Sequence, residues 1–235
     1  MSFDFSVIAH GLPIFAKGLV NTVLFCSVAI VGGLPLASAL ALARLSRRGI
    51  FRLPATGFVE ALRNTPFLVQ VFLLYFALPA LGIRLGATTA GLVALTAYAG
   101  AYFAEAIRGA ILSVPRGQLE SGRALGMPYL RAVRRIVAPQ MMGYLLPALT
   151  NQMIGVIKDS AVLSVITVSD MAMAAQQVLG ETFAPVESYV MVAVLYWVLT
   201  AAVAALMMQL ERRFAAPATG PLRLLDPVPT LTSER

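Results

Sequence analysis

Residues 18–43 contain no charged side chain. A helix needs about 20 apolar residues to cross about 30 Å of hydrocarbon, and this run is long enough. Inside lipid the backbone must satisfy its own N–H and C=O groups, so a helix is the form such a run takes. Four further stretches follow the same logic, at residues 64–83, 85–107, 145–167 and 188–210. The fourth is placed late because Pro139 and Pro147 break the early part of the uncharged run at 136–157. It contains a charged pair, Lys158 and Asp159, after which an apolar stretch resumes. The expectation is an all-α integral membrane protein with five transmembrane helices.

Composition supports lipid as part of the solvent. Of 235 residues, 59% are hydrophobic and 12% charged, whereas a soluble domain carries about a quarter charged residues. The formal charge of +7 would suggest nucleic acid in a soluble chain. Here the basic residues fall between apolar runs, so no nucleic-acid partner is expected. Cys26 is the single cysteine and His10 the single histidine, neither with ligand companions. Neither a disulfide nor a metal site follows from them, and no cofactor is implied. The start lacks a basic region followed by a small-residue cleavage site, so no removable signal peptide is read.

Arginine placement sets the orientation. Arg44, Arg47, Arg48, Arg52 and Arg63 lie between spans one and two. Arg108, Arg116, Arg123, Arg131, Arg134 and Arg135 follow span three, and Arg212 and Arg213 follow span five. The opposite side has only Lys17 and Arg84, beside the acidic Asp170, Glu181 and Glu187. The N-terminus is therefore expected outside and the C-terminus in the cytoplasm. Asn64-Thr65-Pro66 offers a cap with proline in the first turn as the start of span two. Leu78-Pro79 with Gly82 and Gly86 predicts a short outer turn. The tail at 214–235, with Pro217, Pro221, Pro227 and Pro229, is expected to be flexible.

The longest polar interruption is the loop at 108–140. At its centre, Pro115 and Gly117 open a segment that Gly126 and Pro128 close, with room for about two helical turns between them. A second amphipathic segment, 129–137, leads to Ala138-Pro139-Gln140. Two short helices bent at a glycine can project as a rigid knob, and a connection of this length is uncommon without a function.

At this point the sequence resembles the permease subunits of ATP-binding-cassette importers, specifically the polar amino acid uptake family. The knob is similar to that family's EAA loop, with Glu120, Ser121, Gly122 and Gly126 in its pattern positions. Arg63-Asn64-Thr65-Pro66-Phe67-Leu68-Val69-Gln70 resembles the family's R-[GN]-T-P-L-L-V-Q segment. Ala101 to Gly109 resembles A-Y-x-A-E-x-x-R-G, and Lys158-Asp159-Ser160 with Leu163 to Ile166 resembles K-[DN]-[ST]-S-L-x-S-V-I. Together they cover about residues 16–213. The Ser121-Gly122 pair departs from the two alanines, and a helical glycine costs about 1 kcal/mol against alanine. This predicts a less rigid docking helix.

The resemblance implies a type I importer transmembrane fold over 16–213, preceded by a periplasmic segment at 1–15. It implies that Glu120, Ser121, Gly122, Arg123, Ala124, Leu125 and Gly126 couple the chain to a cytosolic ATPase pair. It also implies a periplasmic solute-binding protein and a location in the bacterial inner membrane. No G-x-x-x-x-G-K-[ST] segment is present, so ATP hydrolysis belongs to another polypeptide and the chain is not itself an enzyme. Five spans cannot readily enclose a hydrophilic path, which calls for a second permease copy or a homologue. The cargo is expected to be a polar amino acid, or alternatively a small polar solute such as an opine.

Several residues carry two readings. An ionisable group at membrane depth faces protein or water, so Lys158 and Asp159 either line the substrate path or hold separate structural partners. Neighbours on a helix cannot simply pair with each other. Asn151, Gln152 and Ser160 belong to the same candidate path, although the two amides could instead bond across helices. Glu105 and Arg108, three residues apart, form a gate or a brace for the loop. Tyr98 and Tyr102 read as packing aromatics, and Trp197 faces lipid or a helix. An intramembrane enzyme or lipid-handling protein would need a polar catalytic set at depth, and His10 is far from any. A self-contained ion-coupled carrier would need about ten spans with repeats.

Overall fold

The computed structural model describes residues 3–214, and all its regular elements are helical. Helix α1, Phe5–Leu45, is a single 41-residue element, about 60 Å long at 1.5 Å per residue. Asp4 caps it, its side chain accepting from the Ser6 N–H at 2.8 Å. The stretch at 5–15, expected as a segment separate from span one, is therefore the first three turns of the same helix. The apolar run carries no signal for where membrane ends and helix continues.

Helix α2, Gly49–Arg63, falls where a loop was expected. Helix α3, Phe67–Phe72, begins the second candidate span, followed by a π-helical turn at Leu73–Ala77 and a 3₁₀ turn at Leu78–Leu81. Asn64 ends α2 rather than starting α3, and its amide donates to Glu60 at 3.1 Å. The turn between them is held by Gln70, whose amide donates to the carbonyls of Leu62 and Thr65 at 2.7 and 3.0 Å. The 3₁₀ turn ends at Gly82, whose φ of 83° favours glycine.

Helix α4, Ala87–Ser113, runs two turns past the expected span. Then come α5, Arg116–Ala124, and α6, Tyr129–Ala132. A π-helical turn at Val133–Val137 feeds α7, Ala138–Asp159. Neither Pro139 nor Pro147 breaks α7. Pro139 follows directly on the π-helical turn and Pro147 lies inside the helix, and both are carried without a break. A 3₁₀ segment, Ser160–Ile166, leads to α8, Met171–Thr182, in a region expected as an outer loop. Asp170 is the α8 cap, accepting from the Met173 N–H at 2.8 Å. Helix α9, Pro185–Phe214, completes the order. The expected tail lies outside the described residues beyond Phe214.

Among the described residues, three helices are long and apolar enough to cross a membrane: α1, α4 and α9. The number becomes five if each of two bent pairs, α2 with 67–81 and 129–166 with α8, counts as one span.

The core is a seam of small side chains. Cys26, Ala29, Gly33, Ala37 and Ala41 recur every three or four residues on α1 and meet Ala94, Ala99, Ala101 and Ala104 of α4. Without a hydrophobic drive between helices in lipid, close backbone approach is what small residues supply. A Cβ on Gly100 would stand 2.6 Å from Leu36 Cδ2, and one on Gly33 would stand 3.1 Å from Ala99 Cβ. A second cluster joins the N-terminal end of α1 to α8 and α9 through Phe15, Met171, Ala175, Val178 and Val192. Helix α9 buries only Ser188 and Val192, and Trp197 on it is 71% exposed.

Candidate functional site: the projecting loop and a buried charge cluster

The loop forms as the glycines dictate. At the end of α5, Gly126 adopts φ 80°. Its N–H donates to Arg123 O at 2.9 Å and the Met127 N–H to Gly122 O at 3.2 Å, the paired closure that a left-handed residue gives a helix end. Pro128 then precedes α6, whose π-helical continuation carries the chain directly into α7. Glu120, Ser121, Arg123, Ala124, Leu125 and Gly126 are all exposed, Leu125 at 79%. Gly122 alone is buried: a Cβ there would lie 2.6 Å from Ile136 Cδ1 and 3.3 Å from Ala132 Cβ. The glycine expected to loosen this helix thus lets it seat on the α6–α7 junction. Gln140 Nε2 ties the base of the knob, donating to Gln118 Oε1 at 3.3 Å and Ile136 O at 3.0 Å.

Two turns before the end of α4, Glu105 is the centre of a charge cluster. Arg108 donates to it at 2.5 and 3.0 Å, and Arg44 of α1 at 2.7 Å. Arg44 also donates to Glu60 of α2 at 2.9 Å, and its side chain is only 9% exposed. Arg63 comes within 3.9 Å of Glu105, with its guanidinium 5.5 Å from the Tyr102 ring centroid, a cation–π distance. The cluster pins three helices with charge-assisted bonds, which are the stronger ones. Arg44 and Glu60 were missed by sequence reasoning because arginines flanking a span read first as orientation signals. The available hint was Glu60, the one acid among five basic residues between spans one and two.

The candidate path residues divide. Tyr98 donates to Asp159 Oδ2 at 2.7 Å. Its ring packs, tilted, between Phe67 and Tyr102, at 4.7 and 4.5 Å between centroids. Lys158 and Asn151 are exposed, with Gln152 partly so. Among the described residues no carboxylate lies within ion-pair distance of Lys158, so Lys158 and Asp159 do not pair. Ser160 is buried, its hydroxyl donating to Ile157 O at 2.7 Å. The path residues and the cluster share one aromatic ladder, from Asp159 through Tyr98 and Tyr102 to Arg63.

This arrangement has known counterparts. Residues 33–216 match the family described as binding-protein-dependent transport system inner membrane component, and the chain belongs to that family. It is 33% identical over 213 residues to the probable amino-acid ABC transporter permease protein YckA of Bacillus subtilis, covering 91% of this chain and 94% of that one. It is 34% identical over 215 residues to the glutamine transport system permease protein GlnP of Escherichia coli K12, covering 91% and 98%. A chain of a crystallised amino acid ABC transporter with histidines superposes with a TM-score of 0.84 at 36% identity, covering 91% of this chain and all of that one. The chain is therefore a membrane-embedded ABC importer permease, and ATP hydrolysis belongs to a separate subunit.

Proposed function

We propose that this permease moves polar amino acids inward across the bacterial inner membrane, driven by a cytosolic ATPase pair docked on α5. The observation that carries the reading is that relatives matching 91% of the chain are amino-acid permeases. In this reading residues 16–213 are the transmembrane domain and make five spans, the second over 64–83 and the fourth over 145–167. The N-terminus lies outside and the C-terminus in the cytoplasm, as the arginine distribution supports. Glu120 to Gly126 enter a cleft on the ATPase, supported by the exposure of every one of them but Gly122. A second copy or homologue completes the pore, and a periplasmic binding protein delivers substrate to the outer face.

Asn151, Gln152, Lys158 and Asp159 face the substrate path. The exposed Lys158 ammonium suits the amino acid's carboxylate, and the Asp159 carboxylate suits its ammonium. Tyr98 holds Asp159 in place. Ser160 contributes by packing. Glu105 and Arg108 act as a brace, supported by the bond of Arg108 to Glu105 and of Glu105 to Arg44 of α1.

The test is reconstitution in vesicles with the ATPase and binding protein, followed by uptake of labelled polar amino acids. Uptake should require ATP and stop when residues 120–126 are replaced by a flexible linker. Uptake without ATP, or surviving that replacement, would overturn the proposal.

A further inference from the structure

Helix α2 has three distinct sides. Ala55 and Val59 are buried against α1 and α4, at 7% and 0% exposure. At 3.6 residues per turn, Arg52, Thr56, Glu60 and Arg63 share one flank. The broad outward arc opposite Ala55 and Val59 is apolar and uncovered, running from Leu53 beside Glu60 round to Phe51: Ile50 is 77% exposed, Leu53 67%, Phe51 52% and Phe58 41%. An apolar flank beside a charged one is the pattern of a helix that lies in a membrane interface.

Its direction agrees. The axis of α2 is turned 108° from the segment 67–81, so it runs close to crosswise to the span that follows. Arg44, at the last turn of α1, reaches Glu60, near the far end of α2. Had α2 folded back along α1, about 16 Å of rise would separate the level of Gly49 from that of Glu60. Helix α2 therefore lies across the mouth of the bundle, level with the end of α1. Basic side chains accompany the apolar flank: Arg47 and Arg48 in the preceding turn and Arg52 on the helix are exposed. The one acid on α2, Glu60, is already engaged by Arg44 and Asn64.

We propose that α2 is an interfacial anchor, its flank of Ile50, Phe51, Leu53 and Phe58 seated in the cytoplasmic leaflet and Arg47, Arg48 and Arg52 holding anionic phospholipid headgroups. The inference rests on the membrane orientation proposed above. Anionic lipid is the occupant that satisfies both sides of the helix at once, hydrocarbon taking the aromatic and aliphatic flank and phosphate taking the guanidinium groups. Because Glu60 belongs to the same helix, the lipid seat also sets where the Arg44 cluster stands.

The chain contains a single tryptophan, which supplies both probe and control. Full-length protein is reconstituted in vesicles of phosphatidylcholine and phosphatidylglycerol containing lipids brominated along the acyl chain. In the native chain, Trp197 should be quenched. In the L53W/W197F variant the only indole sits on the apolar flank of α2. Bromines high on the chain should quench that indole to about half the extent of Trp197 or more, and aqueous acrylamide should quench it little. The triple change R47Q/R48Q/R52Q should lower the preference for phosphatidylglycerol over phosphatidylcholine among co-purified lipids about tenfold or more.

An indole on α2 quenched by acrylamide but not by bromolipid, with Trp197 of the native chain still quenched, would overturn the anchor while leaving the permease reading intact. An indole on α2 shielded from both reagents would also overturn it and point to a second copy of the chain on that flank. Trp197 unquenched in the native chain would overturn the membrane placement itself.

Discussion

Glu105 with Arg108 and Glu120 with Arg123 are the same pair of residues at the same helical spacing, yet they do different work. The first pair bonds internally at 2.5 Å, beside a nearly buried Arg44. The second is exposed and makes no ion pair among the described residues. Spacing of three allows a modest helical attraction in both. What separates them is the third dimension: α1 and α2 bring Arg44 and Arg63 onto Glu105, while no ion-pair partner among the described residues reaches Glu120. A charged pair that the chain itself surrounds holds helices together, and one left bare is available to another chain.

If that contrast is right, the largest stability loss should come from the surrounded member. Glu105→Ala would leave Arg44 and Arg108 without their shared carboxylate. Arg44 keeps Glu60 as a partner, so the loss comes from the charge-assisted bonds to Glu105, each contributing about 1.5–3 kcal/mol, and is about 3 kcal/mol in all after solvent screening. Thermal unfolding of the purified permease in detergent measures it, with Glu105→Gln falling between variant and parent. A Glu105→Ala protein as stable as the parent would erase the distinction between the two pairs. Next in size is the seam beneath the cluster. Gly100→Ala puts a methyl 2.6 Å from Leu36 Cδ2, an overpacking worth about 1–3 kcal/mol. The same unfolding assay should show it, with partial recovery when Leu36 is shortened to Val.

The same contrast explains what could be read in the sequence and what could not. The long apolar runs and the projecting loop were legible because desolvation and glycine geometry act locally, as at Gly126 with its φ of 80°. Arg44 was legible only as a cytoplasmic marker. Its second role depends on Glu60 and Glu105, sixteen and sixty-one residues away, and no local pattern announces it. Helix α8 was passed over although Asp170 stood at its cap, because an acid between two apolar runs also reads as an outer loop. The extent of α1 was hidden for a plainer reason. Periodicity marks a helix by contrast with polar faces, and a run that is apolar all round offers no such contrast.

Gly122 tests the boundary between the two regions, since it is the buried point of an otherwise bare helix. Alanine there would gain about 1 kcal/mol of helix propensity and lose about 1–3 kcal/mol by crowding Ile136 and Ala132. The expected net is a loss of about 1 kcal/mol, seen as a small drop in melting temperature. Ile136→Val removes the methyl group that would clash. The double variant Gly122→Ala/Ile136→Val should therefore return to the parent's stability or exceed it. Additive losses in the two changes would mean that α5 does not pack on the α6–α7 junction in the way described.

The smallest effect on stability should come from Glu120→Ala, and it is the most informative for function. The side chain is exposed and makes no hydrogen bond or ion pair within the chain among the described residues. Unfolding should therefore shift by no more than about 0.5 kcal/mol. Helix propensity even favours alanine slightly over glutamate, which leaves no route by which the substitution weakens the knob itself. If α5 is the contact for the ATPase, the same variant should show uptake falling well below the parent while the ATPase, assayed in the same vesicles, no longer responds to the loaded binding protein. The two measurements must move apart for the reading to stand. Stability and uptake falling together would make Glu120 one more brace like Glu105, and neither falling would leave the docking to Arg123 and Leu125 at the exposed tip.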